Sequence, residues 1–426
     1  MLLAALGLKP EDNRALRELA KRAEMSAAQL KFYDERGIEP SGSELKRLAI
    51  AVGQTELELR LRSGFVDRKL IQALSSHATV IATLLSDVPT DRENNSALGH
   101  TIRPTFATSL GSLYRGDCLE VMSTLQSESF DVVFADPPFN LDKLYPSEMD
   151  DNLRAENYLR WCEAWLSECV RLLKTGGSLF VWNLPKWNTY LSTFLNRHLN
   201  FRHWIAVDIK YSLPVASKLY PSHYSLLYYV KGERPSTFHP DRLPMEVCPD
   251  CHTDLKDYGG YKDKMNPLGV NLCDVWNDIP PVRHAKYKKR KNSNELSIKL
   301  LDRVLEMSSN EGDCVFDPFG GSGTTYAVAE LKNRKWVGIE LGPVEGIVER
   351  LETVEVERLY LERLRAGYNH LFLPETERQR RILGRWTVGN IPKGNRKHKV
   401  VGSMNPEDSQ MSLMPEFSGE PVMGDA

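Results

Sequence analysis

An acidic residue, two prolines and an aromatic follow one another at the end of an apolar stretch, as Asp136, Pro137, Pro138 and Phe139. The exocyclic amine of adenine or cytosine is a poor nucleophile because its lone pair is delocalised into the ring. A carboxylate from Asp136 and a carbonyl from Pro137, held rigid by two proline rings, would both accept hydrogen bonds from such an amine and free its lone pair. Phe139 would stack on a base that has left the duplex. A simple turn before a helix is the alternative interpretation.

A second motif, residues 313–325, runs from an apolar segment into a glycine-rich loop. Glycines let a backbone approach a ligand closely and adopt positive φ angles. The N–H groups at the start of a following helix favour a carboxylate. A phosphate-binding loop would carry a lysine after its last glycine, where this chain has Thr324 and Thr325. A small ligand with an amino-acid carboxylate therefore fits better than a nucleoside triphosphate, although a tight turn without a ligand is also possible.

Two further acids stand near these motifs. Glu340 closes the apolar run KWVGIEL, roughly 20 residues after the loop, where an acid commonly binds ribose hydroxyls. The loop and this acid together indicate a ligand that contains a nucleoside. Asp117 follows Gly116 and precedes the pattern LEVMSTL, for which it is a candidate helix N-cap. A cap and a ligand contact are compatible roles for Asp117.

Alternating strand and helix patterns must position these residues. The β-branched run FDVVFA leads into Asp136, and strand patterns also lead into Asp317 and Glu340, with the helix pattern TTYAVAELKN between those two. NYLRWCEAWLSECVRLLKTGG predicts an amphipathic helix closed by Gly176 and Gly177. SLFVWN, WIAVDIKYS and HYSLLYYVKG predict three more strands. The alternation predicts an α/β sheet, whose carboxyl edge is where open sheets build their sites.

The motifs and their order resemble the amino-methyltransferases of DNA, in the circularly permuted subgroup called beta. In that subgroup a D/S-P-P-Y/F motif precedes a D-P-F-x-G-S-G-T motif, as it does here between about residues 110 and 345. The resemblance implies a Rossmann-like fold that uses S-adenosyl-L-methionine and acts on double-stranded DNA. It implies catalytic roles for Asp136, Pro137, Pro138 and Phe139. It implies cofactor binding by Asp117, Asp317, Phe319, Gly320, Gly321, Ser322, Gly323, Thr324 and Glu340.

The same resemblance favours adenine N6 as the target, because Asp rather than Ser precedes the two prolines, while cytosine N4 stays open. Partners of such an enzyme would be a cognate restriction enzyme and a second copy of the chain. One departure concerns a His-Pro-Thr-Gln-Lys-Pro stretch that the family often carries, where this chain has Ser293, Asn294 and Glu295. A DNA-binding regulator with a vestigial methyltransferase domain and an RNA methyltransferase are the alternatives. The intact acid, prolines and aromatic argue against the regulator.

The domain organisation is expected to start with helices in residues 1–65. Leu16, Leu19 and Ala20 stand at helical spacing, and Ser26 and Ser43 are candidate N-caps. These helices resemble a helix-turn-helix DNA-binding domain of the phage-repressor type, and a bundle used for dimerisation or packing is the alternative. The remaining expected parts are a connector at 66–108, the methyltransferase domain at 109–370, its target-recognition region at about 184–290 and a disordered tail at 385–426. The stretch from Val344 to Tyr368 is expected to form one long helical segment.

Charge and cysteine usage restrict the remaining possibilities. The formal net charge is −2, so DNA binding must use local basic patches, of which residues 283–292, RHAKYKKRKN, form the densest. Aromatic and basic residues that could reach a groove or fill the gap left by a flipped base are Tyr258, Tyr261, Lys262 and Lys264. Cys248, Cys251 and His252 supply only half of a zinc-ribbon pattern, and no metal is expected among the site residues.

Seven dispersed cysteines favour a reduced, cytoplasmic compartment. The first residues, MLLAALGLKP, lack the basic region of a signal peptide. No stretch approaches roughly 18 uninterrupted apolar residues, so no membrane-spanning segment is expected.

Overall fold

The structure is a computed structural model that describes residues 2–9, 11–36, 38–85, 102–141, 153–208, 217, 219–253, 255, 266–280 and 295–391. The basic run at 283–292, the aromatic and basic group between residues 258 and 264, and Ser293 and Asn294 lie outside the described residues. So does the expected tail beyond residue 391. The chain forms two compact units, one of Met1–Asp241 with Leu272–Ala366 and one of Arg242–Asn271 with Gly367–Ala426.

Helices make up the described part of the chain before the first strand. They are α1 (Leu2–Ala5), α2 (Asn13–Arg22), α3 (Ala27–Arg36), α4 (Gly42–Val52), α5 (Glu56–Ser63), α6 (Arg68–Ser76) and α7 (Ala78–Leu84). The last two lie in the segment that was expected to be a connector. The first five share one apolar core, which includes Leu16, Leu30, Leu45, Leu48 and Leu59.

Local capping explains where these helices begin. The side chain of Asp12 accepts hydrogen bonds from two N–H groups of the first turn of α2, and Thr55 forms a capping box with Glu58 at α5. The prediction of Ser43 as the N-cap of α4 was wrong, because the helix begins at Gly42 and Ser41 precedes it. The Ser41 N–H and hydroxyl both donate to the Glu44 carboxylate, at 2.9 and 2.6 Å.

Strands and helices alternate through the rest of the chain. The strands are β1 (Phe106–Ala107), β2 (Gly111–Arg115), β3 (Phe130–Ala135), β4 (Leu173–Asn183), β5 (Asn200–Asp208), β6 (His223–Val230), β7 (Arg242–Leu243), β8 (Val270–Asn271), β9 (Val275–Trp276), β10 (Cys314–Asp317) and β11 (Lys335–Glu340). The helices are α8 (Cys118–Thr124), α9 (Ala155–Leu172), α10 (Pro185–Leu195), α11 (Ile298–Ser308), α12 (Thr324–Leu331), α13 (Glu345–Glu352), α14 (Glu355–Arg365) and α15 (Pro374–Ile382), followed by a 3-10 turn at Val388–Asn390.

Nine of the described strands form one sheet in the order β1-β2-β11-β10-β3-β4-β6-β5-β9. From β2 to β4 neighbouring strands are parallel, whereas β6 runs antiparallel to both of its neighbours. The chain winds from β10 through α12 to β11 in one direction, and from β3 through α9 to β4 in the other. The winding therefore reverses between β10 and β3, where doubly wound sheets open a crevice. This topology confirms the predicted Rossmann-like α/β fold.

Both faces of the central strands are buried, which explains the continuous apolar run that ends before Asp136. Val132 and Phe134 of β3 point into a core that contains residues of α11 and α12. Val133 and Ala135 point into a second core that contains residues of α8, α9 and α10. The central strands are thereby fixed from both sides, and their carboxyl ends are held in place.

Two helix boundaries differ from the sequence-based expectation. Helix α9 ends at Leu172, and Gly176 and Gly177 belong to β4 rather than closing the helix. Gly176 is required by close packing, because a Cβ atom there would lie 2.1 Å from the Ser236 hydroxyl oxygen. The segment expected to be one long helix is two helices, α13 and α14, with Thr353 at the break.

Replacing Gly338 of β11 by alanine is expected to destabilise the fold around the glycine-rich loop. A Cβ atom there would lie 2.2 Å from Cζ of Tyr326, whose ring is buried and stacks on Trp336. Overpacking of this kind costs about 1–3 kcal/mol of unfolding free energy, measurable by denaturant unfolding. Gly346→Ala is the matched control, since a Cβ atom there meets nothing within 4 Å. Equal stability of Gly338→Ala and the unchanged chain would contradict this packing.

The smaller unit has its own apolar cluster, which includes Met245, Leu371 and Phe372. The Arg380 guanidinium packs against the rings of both Phe372 and Trp386, 4.6 Å from each centroid. It also donates to the carbonyls of Trp386 and His252. Strands β7 and β8 form a separate two-stranded antiparallel sheet in this unit. This stacked arginine fixes the C-terminal segment against the loop that carries His252.

Candidate active site

The carboxyl ends of four adjacent parallel strands carry the predicted site residues. In sheet order, Asp117 follows β2, Glu340 ends β11, Asp317 ends β10 and Asp136 follows β3. Glu340 lies opposite Arg115 in the parallel pairing of β11 with β2. The Gly116 N–H donates to the Glu340 carbonyl at 3.0 Å. The fold therefore brings motifs from distant parts of the sequence to one edge, on both sides of the reversal in winding.

Asp317 organises the glycine-rich loop from within. Its side chain is only 3% exposed. One carboxylate oxygen accepts the Phe319 N–H at 2.9 Å, and the other accepts the Thr325 hydroxyl at 2.5 Å. Burial raises the pKa of the Asp317 carboxyl well above its usual range, and the nearby charges of Asp136 and Glu340 raise it further. The hydrogen bonds from Phe319 and Thr325 to Asp317 close the turn between β10 and α12.

The loop backbone packs too closely on its surroundings for side chains. A Cβ atom at Gly320 would lie 2.9 Å from the Tyr326 hydroxyl oxygen and 3.1 Å from the Ile339 carbonyl oxygen. Gly323 has φ +72°, in the left-handed region, and immediately precedes α12. No described side chain caps α12, so the first N–H groups of this helix have no intrahelical acceptor. They remain free to bind an anionic group.

Glu340 and Asp117 each keep acceptor capacity. The two Glu340 oxygens accept the N–H groups of Gly321 and Gly342, both at 2.7 Å. Burial raises the pKa of Glu340 despite these bonds, and each oxygen retains a further lone pair that can accept a hydroxyl. Asp117 is the N-cap of α8 through one oxygen, which accepts from Leu119 at 2.8 Å. Its other oxygen accepts no hydrogen bond from the described residues.

Arg350 supports the loop from α13 and was missed by the sequence reading. Its fully buried guanidinium donates to the Ser322 carbonyl at 3.0 Å and to the Thr324 hydroxyl at 2.8 Å. The Glu357 carboxylate of α14 pairs with it at 2.9 Å. An arginine in an amphipathic helix pattern reads as a surface charge. No local sequence signal marks this pair, because its two residues meet only through the break between α13 and α14.

The backbone of the Asp-Pro-Pro-Phe motif is fixed by two aromatic side chains. The Tyr158 hydroxyl donates to the Pro138 carbonyl at 2.7 Å, and the Trp187 indole N–H donates to the Phe139 carbonyl at 2.7 Å. Among the described residues, none donates to the carbonyl of Pro137. Pro137 is buried and lies in a rigid backbone next to the half-buried Asp136.

Aromatic rings surround this motif. The Phe139 side chain is 5% exposed, and its ring centroid lies 5.9 Å from that of Tyr224, which in turn lies 4.8 Å from that of Trp182. The Phe319 ring instead packs against Trp161 and Trp165 of α9. Trp182 and Tyr224 were not singled out from the sequence, because aromatic residues inside strands usually indicate core packing.

The comparison with known protein families decides to which family the chain belongs. Residues 130–346, which contain both motifs, match the family model described as DNA methylase. The chain belongs to this DNA methylase family. The resemblance inferred from the two motifs is therefore confirmed, while the helix-turn-helix interpretation of the N-terminal helices stays a prediction.

Curated relatives agree with this assignment. The DNA methylase is 46% identical to type II methyltransferase M.BamHI of Bacillus amyloliquefaciens, over 92% of this chain and 93% of the relative. It is 30% identical to type II methyltransferase M.HpaI of Haemophilus parainfluenzae, over 56% of this chain and 73% of the relative. It is also 30% identical to DNA adenine methyltransferase YhdJ of Escherichia coli K12, over 55% and 80%.

A DNA methylase is an enzyme, and the methyl donor is S-adenosyl-L-methionine, as the sequence predicted. The groups around the glycine-rich loop fit that cofactor. The uncapped N–H groups of α12 suit its carboxylate, and the remaining lone pairs of Glu340 suit its ribose hydroxyls. The loop backbone allows close approach because three of its residues are glycines.

Metal-binding clusters and membrane-spanning helices are absent from the described part of the chain. There, no three His, Cys, Asp or Glu side chains come together in a way that could hold a metal ion. The helices of the described ranges include none with the length and apolar character needed to cross a membrane.

Proposed function

We propose that the DNA methylase transfers a methyl group to the exocyclic amine of a base that leaves the duplex and enters the crevice between the ends of β3 and β10. The observation that carries the proposal is that Asp136 and Pro137 follow β3, the strand next to β10, which leads into the glycine-rich loop. Strands β3 and β10 are neighbours, with Val132 and Val133 opposite Val315 and Phe316. An amine held at the end of one strand is thus adjacent to a ligand held at the end of the other.

Asp136 and Pro137 would act on the amine together. The Asp136 carboxylate and the Pro137 carbonyl each accept one N–H of the amine, which draws the nitrogen towards tetrahedral geometry and frees its lone pair. S-adenosyl-L-methionine supplies an electrophilic methyl group at this place when bound. As the nitrogen forms its bond to the methyl carbon, the methyl–sulfur bond would break and S-adenosyl-L-homocysteine would leave. Both N–H groups of the nitrogen then become more acidic, and the Asp136 carboxylate is placed to take one of the two protons. Pro138 and Phe139 keep the two acceptors in register through their bonds to Tyr158 and Trp187.

The cofactor would be held by the loop and by the acids on each side of it. The N–H groups at the start of α12 would hold the carboxylate of the cofactor, and Glu340 would accept hydrogen bonds from its ribose hydroxyls. Asp117 would lie beside the cofactor, with the oxygen that caps no described N–H group turned to it. Asp317 acts on the loop rather than on the ligand, because its side chain is only 3% exposed and its oxygens accept from Phe319 and Thr325.

Double-stranded DNA is the proposed substrate. The chain is close to neutral overall, so the basic run at 283–292 is the proposed phosphate-binding segment, and residues 184–290 are the proposed target-recognition region. M.BamHI and M.HpaI are both named type II methyltransferases. By that similarity we propose that a cognate restriction enzyme cuts the site that this enzyme protects.

The test is methyl transfer to duplex DNA from S-adenosyl-L-methionine labelled in its methyl group. The expected result is label in DNA and none in RNA incubated in parallel. Digestion to nucleosides then separates N6-methyladenine from N4-methylcytosine. Label in RNA alone, label in a 5-methyl base, or no label in any nucleic acid would reject the proposal.

A further inference from the structure

The N-terminal helices contact the residue just before helix α9 through a buried carboxylate. Asp34 lies on α3, and its side chain is 3% exposed. One of its oxygens accepts the Leu3 N–H of α1 at 3.0 Å. The other lies 3.4 Å from the guanidinium of Arg154, the residue immediately before α9. A charge in the interior of the first helices is thus balanced partly by an arginine of the methyltransferase fold.

The residue next to Arg154 holds the catalytic motif. The Leu153 N–H donates to the Asn140 side-chain oxygen at 2.7 Å, and the Asn140 amide donates back to the Leu153 carbonyl at 2.8 Å. Asn140 directly follows Phe139 and has φ +53°, a left-handed conformation that asparagine tolerates. These two hydrogen bonds fix where the chain leaves the motif.

Helix α9 therefore holds the motif at two points. Leu153, just before its first turn, binds Asn140, and Tyr158, one turn into the helix, binds the Pro138 carbonyl. A shift of the start of α9 would therefore move Leu153 and Tyr158, and with them both hydrogen bonds to the motif. Asp34 is one contact between this start and the N-terminal helices, because it binds Arg154 from α3.

We propose that the N-terminal helices position the catalytic motif, with Asp34 as a positioning residue that acts through Arg154, Leu153 and Asn140. This inference rests on the proposed function, since it assigns Asp136 and Pro137 a geometry that must be held. Small displacements of reacting groups have large effects on rate, of the order of 10²-fold for about 1 Å. A loosened support should therefore lower kcat for methyl transfer more than it lowers the affinity for DNA or for S-adenosyl-L-methionine.

The test compares Asp34→Asn with Arg154→Met. Asparagine keeps an oxygen for the Leu3 N–H but loses the charge that holds Arg154, and methionine keeps the aliphatic stem of Arg154 without its charge. Each variant is expected to lower kcat for methyl transfer roughly tenfold. KM for DNA and the dissociation constant for S-adenosyl-L-methionine should stay unchanged. The double variant should be no slower than either single one, because both remove the same contact.

Two controls separate positioning from stability. Arg14→Met removes an exposed arginine of α2 that pairs with Glu18 and should leave kcat unchanged. Arg154→Lys should recover part of the lost kcat because it restores a positive charge. If Asp34→Asn unfolds the first helices in a thermal melt, Arg154→Met carries the test, since it changes no residue of those helices, and its own melt shows whether they stay folded.

The outcomes are distinct from those of the proposed function. Unchanged kcat in Arg154→Met, or a higher KM for DNA at unchanged kcat, overturns the positioning role while methyl transfer by the unchanged chain still stands. Additive losses in the double variant also overturn it. Absence of transfer by the unchanged chain rejects both proposals.

Discussion

Replacement of Asp136 by alanine is expected to lower the rate of methyl transfer by about 10²–10³-fold, the usual loss when one hydrogen-bonding group is removed from a reacting centre. The remaining acceptor, the Pro137 carbonyl, can bind only one N–H of the amine. Affinity for S-adenosyl-L-methionine should hardly change, because the groups proposed to bind it lie on the loop after β10 and on the acids beside it. The measurements are label transfer into duplex DNA and cofactor binding by titration calorimetry.

Asp136→Asn is the matched control for this variant. Asparagine has nearly the same shape and one acceptor oxygen, but it cannot hold a proton that the amine releases. Its rate should fall between those of the unchanged enzyme and Asp136→Ala. Full activity of the alanine variant would remove Asp136 from the mechanism, and equal losses of transfer and cofactor binding would place it in cofactor binding instead.

Replacement of Arg350 by methionine is expected to lower the free energy of unfolding by about 3–5 kcal/mol, because it leaves the Glu357 carboxylate buried without this cation. It also removes the hydrogen bonds to Ser322 and Thr324. The affinity for S-adenosyl-L-methionine should therefore fall as well, since the loop that receives the cofactor loses its support. Denaturant unfolding and calorimetric titration measure the two effects.

A second substitution separates these effects. Arg350→Met combined with Glu357→Leu replaces the buried ion pair by apolar side chains, which is often neutral or stabilising. The double variant should regain most of the stability while its affinity for the cofactor stays low. If cofactor affinity recovers together with stability, Arg350 supports the fold alone and has no part in shaping the loop.

The sequence was most informative where chemistry and strand ends coincide. Asp136, Asp317 and Glu340 each follow an apolar run, so their position at the carboxyl edge of a sheet followed from the pattern. Their adjacency required the order of the strands, which hydrophobic periodicity does not contain. The family resemblance supplied it, since an acid-proline-proline motif and a glycine-rich loop in this order imply one known arrangement.

The supports of the site could not be read in the same way. Tyr158, Trp187 and Arg350 stabilise the two motifs from helices, and nothing in their local sequence distinguishes them from ordinary amphipathic positions. Contacts such as Asp34 with Arg154 join residues that are far apart in the chain. The predicted end of α9 was wrong for a related reason. Gly176 and Gly177 match a helix stop in sequence, but they belong to β4, where close packing leaves no room for a Cβ atom.

The strand order also bears on how the enzyme is made. Strands β10 and β11 are synthesised last among the strands of the large sheet, yet they lie between β2 and β3, which are synthesised early. Until the ribosome has released them, β2 and β3 have no partner on the sides where these strands will insert. Such open edges are the surfaces at which incomplete chains associate with one another. The nascent protein must therefore keep a gap in the middle of its sheet, and it gains a cofactor loop and catalytic competence only with its final third.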